Sequence, residues 1–246
     1  MPWSTRNRGI FDCILALGWS QEKNQKARKR IAMFGPKMSV KFKNPKTNKP
    51  IELVLGPPVD EAEVIKSFVL WFNDNRVRQY LSMNMGLTES SEREWIVGQG
   101  HNKEALVWMM YADGVLVGSL GLHRINLTDR QAELGISVGN KEYWGKGIAT
   151  AAEIAVIDYA FSNIVAEGLH KVWARVFSGN GASQKVIEEK VGFRAIGTRK
   201  EDVWCNGAWY DVWMGEMLKS DWQTRREESI KSAGIEKLDL YPGIQK

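Results

Sequence analysis

The stretch "SVGNKEYWGKGIATAAEIAVIDYAF", residues 137–161, sets a strand-like run against a helix-like run, with Gly145, Gly147 and Ala149 crowded into the junction. Glycines at a helix start let the backbone approach a ligand that a Cβ would push away. The first turn also offers unpaired N–H groups at the positive end of the helix dipole. Such a junction suits a phosphate or pyrophosphate. Lys146 adds a cation in the same place, and Ala149 is small enough to keep the helix start open.

Spacing separates this junction from two other nucleotide-binding loops. A P-loop needs G-x-x-x-x-G-K-[ST]; here Gly139 and Gly145 stand one residue too far apart, and Gly147 replaces the hydroxyl residue that would hold magnesium. A Rossmann fingerprint opens the first βαβ unit of a parallel sheet. This junction instead follows a hairpin of "ALVWMMY" and "VLVGSLGLHRI" about Asp113-Gly114, and a third strand, "QAELGISV". Helices precede that sheet. "IELVLGPPV" reads as a strand stopped by Pro57-Pro58, and Asp60 as an N-cap for "EAEVIKSFVLWF". "DNRVRQYL" and "SSEREWIVG", the latter capped through Ser91 and Glu94, read as two further helices. Asn206-Gly207 signals a second hairpin late in the chain.

At 246 residues the chain is long enough for one sizeable core. It holds no run of about 18 apolar residues, so no membrane span is expected. Cys13 and Cys205 stand far apart without C-x-x-C partners, which suggests neither a disulfide framework nor a zinc site and points to a reducing, cytoplasmic setting. His101, His123 and His170 lack helical pairing and read as packing or surface residues, so no metal site is expected. Charge is uneven. The first fifty residues carry twelve Lys or Arg against Asp12 and Glu22, a net +10 that leaves about −5 for the rest of a chain of formal charge +5. A basic arm of this kind is either a solvated extension or a contact for RNA or the ribosome. Asp12 and the strand-like "MSVKF" argue against a transit peptide. The expected organisation is a basic extension over 1–50, a catalytic domain over 51–220 and a C-terminal helix or tail over 221–246.

Beyond the junction, "KVWARVFSGNGASQKVIEEKVGF" reads as a strand, an Asn-led helix and Gly192-Phe193. Together with "YWGKGIAT", the run Asn180 to Ser183, "KVGF" and "NGAWYDVWMGEMLKSDW", it resembles the GNAT superfamily of acetyl-CoA-dependent N-acetyltransferases over about residues 51–222. The likeness is greatest to the branch of ribosomal-protein N-terminal alanine acetyltransferases and related small-amine acetyltransferases. That resemblance implies an α+β fold with a seven-stranded, mostly antiparallel, splayed sheet flanked by helices. It implies acetyl-CoA as co-substrate and direct transfer to a primary amine. Gly147-Ile148-Ala149 match the end of the family's [RQ]-x-x-G-x-[GA] pyrophosphate loop, while Trp144 stands where Arg or Gln is usual. The implied cofactor contacts are Ile136, Ser137 and Val138 for the pantetheine arm and thioester, Trp144, Gly145, Lys146, Gly147, Ile148, Ala149 and Thr150 around the pyrophosphate, and Asn180. One residue is inserted between Glu188 and Gly192 relative to the usual spacing.

Only an unprotonated amine attacks a thioester, and at pH 7 roughly one lysyl-type amine in a thousand is neutral against about one α-amine in ten. A base or a desolvating pocket is therefore required. Glu133, just before the cofactor strand, is the candidate base through a water, and Ser183 the candidate acid for the leaving thiolate, with Tyr210 and Tyr143 as substitutes because Ile187 stands where some members carry tyrosine. Backbone N–H groups of the splayed strand would hold the oxyanion. Glu201, Asp202 and Asp211 near the last hairpin could receive a cationic amine. Trp71, Trp95, Trp108, Trp204, Trp209 and Trp213 read as core or lid residues. The acceptor stays open between a protein N-terminus and a small amine such as a polyamine, amino sugar or aminoglycoside. A catalytically inactive acetyl-CoA-binding module is the reading from another class.

Overall fold

Alternation in "MSVKFK" buries Met38, Val40 and Phe42 and turns Lys41 and Lys43 outward, which makes Met38–Lys43 a strand, β1, with one face on the core. It is the first element among the described residues, 35–82, 86–164, 167–205 and 207–240 of a computed structural model. Most of the basic arm (1–34), Asn206 of the expected second hairpin and residues 241–246 of the expected tail lie outside them.

β1 forms an antiparallel hairpin with β2 (Pro50–Gly56). Helices α1 (Ala62–Asn73), α2 (Asn75–Arg78) and α3 (Glu89–Gln99) follow, then β3 (Leu106–Ala112), β4 (Val115–Asn126) and β5 (Gln131–Val138). Helix α4 (Ile148–Asn163) crosses to β6 (Lys171–Phe177). Helix α5 (Gly181–Lys185) runs on as a π-helical turn over Val186–Val191, and β7 (Arg194–Cys205), β8 (Ala208–Leu218), α6 (Lys219–Ser232) and β9 (Ile235–Asp239) complete the order. The residue inserted before Gly192 falls in that π turn, whose i→i+5 hydrogen bonds close over one more residue than an α-helical turn does.

The sheet has nine strands, not the expected seven, in the order β7-β8-β6-β5-β4-β3-β2-β1-β9. The two added strands come from the segments expected as extension and tail. β1 pairs with β2 across residue 51, and β9 pairs with β1, so the sheet crosses both expected boundaries. Among the described residues every pairing is antiparallel except β5 with β6. α4 covers one face; Ile148, Ala151, Ala152, Ile154, Ala155, Ile157, Ala160 and Phe161 are buried on it, small residues alternating with large ones so that the helix sits close to the strands. α1 and α3 cover part of the other face, where Val64, Ile65, Phe68 and Ile96 pack on Met109. Two caps differ from expectation. α1 starts at Glu61 without a side-chain cap while Asp60 pairs with Arg93, and α3 is capped by Thr88, whose hydroxyl accepts from Ser91 N at 3.2 Å.

α6 is docked on α4. Trp222, 2% exposed, donates from Nε1 to Asp158 at 3.0 Å, and Arg226 donates to the same carboxylate through Nε at 2.6 Å and Nη2 at 2.8 Å.

Candidate active site

The β5–β6 pairing begins at Gln131 with Lys171 and ends at Leu134 with Ala174. Beyond that rung β5 stays paired with β4 through Val138, and β6 stays paired with β8 through Phe177. The two parallel strands therefore part, and the β6-facing edge of Gly135–Val138 offers its N–H and C=O groups to a ligand instead of a neighbouring strand. Ile136, Ser137 and Val138 lie on this open edge.

Beside the opening, a short 3-10 turn (Lys141–Tyr143) leads to the glycine loop. Gly145 (φ 70°) and Gly147 (φ 89°) both adopt left-handed backbone, which costs a residue with a Cβ strain that glycine avoids. Gly147 is the N-cap of α4 and gives no side-chain hydrogen bond, so the amides of Ile148, Ala149 and Thr150 are presented at the positive end of the helix. The loop is held at both ends. Trp144 donates from its indole N–H to Val138 O at 2.6 Å, and Lys141 pairs with Asp74, the N-cap of α2. Trp71 of α1 lies against Gly139, where a Cβ would fall 2.3 Å from its ring.

Lys146 does not stand over the loop as a lone cation. Its Nζ lies over the Tyr143 ring, 4.4 Å from the centroid. Asn180 caps α5, its Oδ1 accepting from Ser183 N at 3.2 Å, which leaves its NH2 group for a ligand. The sequence reading missed the end of the β1–β2 turn, where Lys46 reaches Gly145 and Phe42 and Pro45 reach Gly147. Only the charge of that segment was legible, not its partner.

Glu133, 9% exposed, lies opposite Trp173 on the closed part of the β5–β6 pairing. Its Oε1 accepts from Arg175 Nε at 2.7 Å and its Oε2 pairs with Arg124 Nη1, while the Arg124 guanidinium sits 5.8 Å from the Trp173 ring centroid. Both carboxylate oxygens are thus engaged, so Glu133 joins β4, β5 and β6 from within two ion pairs. His123 is the residue the sequence undervalued. It pairs across from Glu133 on β4, and its imidazole leans over two glycines: a Cβ on Gly121 would fall 2.8 Å from Nε2, and one on Gly135 3.4 Å from Cδ2. The ring therefore points toward the end of the sheet where β5 and β6 part. Burial pushes its pKa below the ordinary 6.5, an effect opposed by Glu133 and reinforced by Arg124, so the imidazole is neutral at pH 7.

Of the acids expected to receive an amine, Asp202 pairs with Arg199 at 2.6 Å and Asp211 with Lys200 at 2.7 Å. Trp108 and Trp213 are core residues, whereas Trp204 and Trp209 are about half exposed and pack edge-to-face at 5.4 Å. Among the described residues there is no cluster able to hold a metal and no helix long and apolar enough to cross a membrane.

The arrangement, an open strand edge beside a glycine-led helix start, can be compared with known proteins. YdaF of Bacillus subtilis (strain 168), which is named as a candidate ribosomal N-acetyltransferase, is 34% identical over 111 residues, 45% of this chain and 58% of YdaF. The spermidine N(1)-acetyltransferase of Escherichia coli (strain K12) is 30% identical over 107 residues, 44% of this chain and 55% of that protein, so these matches span little more than half of each relative. In three dimensions, RimJ of Mycobacterium smegmatis in complex with CoA-disulfide superposes with a TM-score of 0.66 at 21% identity, over 82% of this chain and 96% of RimJ. The spermidine N-acetyltransferase of Vibrio cholerae in complex with CoA and spermine gives 0.62 at 24% identity, over 70% and 98%. Both share the fold. The family model described as an acetyltransferase (GNAT) domain matches residues 52–194, more than half of the chain, from β2 to the start of β7 and through the whole of the open edge and glycine loop; the chain belongs to that family.

Proposed function

We propose that this chain transfers an acetyl group from acetyl-CoA to a primary amine, and that the acceptor is a protein N-terminus of the ribosomal-protein type. The observation that carries the reading is the parting of β5 from β6 immediately beside the loop of Gly145 and Gly147. The residues present fit the donor. A pantetheine arm can hydrogen-bond along the edge of Gly135–Val138 as an added strand would, and a pyrophosphate fits a loop whose two left-handed glycines leave the α4 amides accessible. When bound, acetyl-CoA supplies the activated acyl group.

The chain's own side chains then divide the proton work. Gly135–Val138 would offer backbone N–H groups to the developing oxyanion, worth roughly 3 kcal/mol per well-placed donor. His123 accepts the proton that the attacking amine loses, its neutral ring lying between Glu133 and the open edge. Glu133 holds β4, β5 and β6 in register through Arg124 and Arg175 and steadies the charged imidazole. Ser183, at the start of α5, presents its hydroxyl to the departing sulfur, and Asn180 offers its NH2 to the pantetheine arm.

A polyamine acceptor is the second reading, favoured by the 30% identity to a spermidine N(1)-acetyltransferase. The ribosomal reading also gives a use to the basic residues that precede β1, which would dock on RNA. The test is CoA release from acetyl-CoA with a basic Ala- or Ser-initiated peptide, spermidine and an aminoglycoside, followed by the peptide reaction with and without ribosomes. Peptide turnover exceeding that of the small amines is expected. Turnover of spermidine alone would replace the acceptor class, and donor binding without any turnover would leave only an acetyl-CoA-binding module.

A further inference from the structure

The β1–β2 turn is held by its own hydrogen bonds. Asn44, 8% exposed, accepts from Lys46 N at 2.9 Å and from Thr47 N at 3.4 Å through Oδ1, and its backbone bonds to Lys49 and Asn48 at 2.8 Å each. This places the turn against the glycine loop. A Cβ on Gly147 would fall 3.1 Å from both Phe42 Cε2 and Pro45 Cδ, and one on Gly145 would fall 2.7 Å from Lys46 Nζ and 3.2 Å from its Cε. Neighbouring lysines are committed elsewhere: Lys43 pairs with Glu236 at 3.0 Å, Lys141 pairs with Asp74, and Lys146 lies over Tyr143. Lys46 ends on the loop itself.

We propose that Lys46, carried by the hairpin that β1 adds to the sheet, is the cation that binds the pyrophosphate of the acyl donor over Gly145 and Gly147. The inference rests on the acetyl-CoA reading of the loop. It accounts for two features together. Trp144 stands where the family pattern carries Arg or Gln, and its indole is turned to Val138 O, so that position brings no cation to the loop. The segment expected as a basic extension folds one of its lysines onto the glycine loop. Because Asn44 fixes the Lys46 backbone, binding has to order only the side chain, and an ammonium beside helix-terminal amides strengthens the field on a diphosphate.

The experiment is calorimetric titration of the full chain with CoA and with 3′-dephospho-CoA, using wild type, Lys46→Ala, Lys46→Arg and, from the same turn, Lys49→Ala. Removing the cation is expected to weaken both ligands by the same factor, roughly tenfold, with a shallower dependence on salt. Lys46→Arg should restore most of the affinity, and Lys49→Ala should stay near wild type. Equal affinity of Lys46→Ala and wild type would overturn the proposal. A loss seen with CoA but not with 3′-dephospho-CoA would also overturn it, moving the cation to the 3′-phosphate. Wild type that binds neither ligand would remove the donor reading itself, a different failure from the loss of Lys46 alone.

Discussion

Arg175, the first β6 residue beyond the last β5–β6 rung, donates from Nε to Oε1 of Glu133 at 2.7 Å. With Arg124 on the other oxygen, one carboxylate joins three strands at the apex of the opening. Glu133→Ala leaves two guanidinium groups without their partner and is expected to cost about 2 kcal/mol of stability, with Glu133→Gln costing less. Urea denaturation of both variants measures this. An alanine variant as stable as wild type would mean that the carboxylate does not hold the apex together.

The proposed proton-acceptor role of His123 has a pH signature. Because burial lowers its pKa, the acidic limb of kcat/KM, measured with whichever amine is turned over, should fall below 6.5. Glu133 and Arg124, the charged groups facing the ring, shift that limb in opposite directions, so Glu133→Gln should move it lower still. His123→Asn should lower kcat by about a hundredfold and abolish the limb, leaving donor binding intact. An unchanged pH profile in His123→Asn would exclude the role.

Glu153 is buried in α4, its Oε2 without a hydrogen-bond partner among the described residues, and burial pushes its pKa from 4.5 up to about 8. The folded protein therefore holds a proton that the unfolded chain has lost between those two values. Stability from this group is complete below about 4.5, declines as pH rises toward about 8, and is flat above. Thermal melts at pH 5 and pH 8 should show a larger drop in wild type than in Glu153→Gln. Parallel drops in the two proteins would contradict the assignment.

The clasp of Asp158 by Trp222 and Arg226 makes α6 part of the domain. Asp158→Ala, which strips a guanidinium and an indole N–H of their shared acceptor, should cost about 3 kcal/mol. Asp158→Asn should cost less, since one oxygen can still accept. Both values come from chemical denaturation, and a wild-type midpoint in Asp158→Ala would show that α6 is held by apolar packing alone.

Much of the fold was legible because its strongest signals are local. The Asp113-Gly114 hairpin, the strand ending at Val138 and the glycine-led α4 each lie within a few residues of the feature that dictates them. The added strands were not. "MSVKFK" alternates clearly, but its partners β2 and β9 are fixed by pairing, and β9 lies about 195 residues further along the chain. For the same reason charge counting places Lys46 in a basic extension and cannot show what it meets. His123 was passed over because its significance comes from Gly121 beneath it and Gly135 on the next strand, a relation no helical or alternating pattern announces. The Thr88 cap was hidden by the more conspicuous serines that follow it.

The most direct test of the account is calorimetric titration of the purified chain with acetyl-CoA, repeated with Ala149→Glu. Glutamate in the first turn of α4 favours the helix dipole, so the fold should survive while the charge and bulk repel the pyrophosphate. Saturable binding to wild type, lost in the variant at an undiminished melting temperature, is the predicted result. No binding to wild type, or equal binding to both, would contradict the claim that the glycine loop of Gly145 and Gly147 holds the acyl donor.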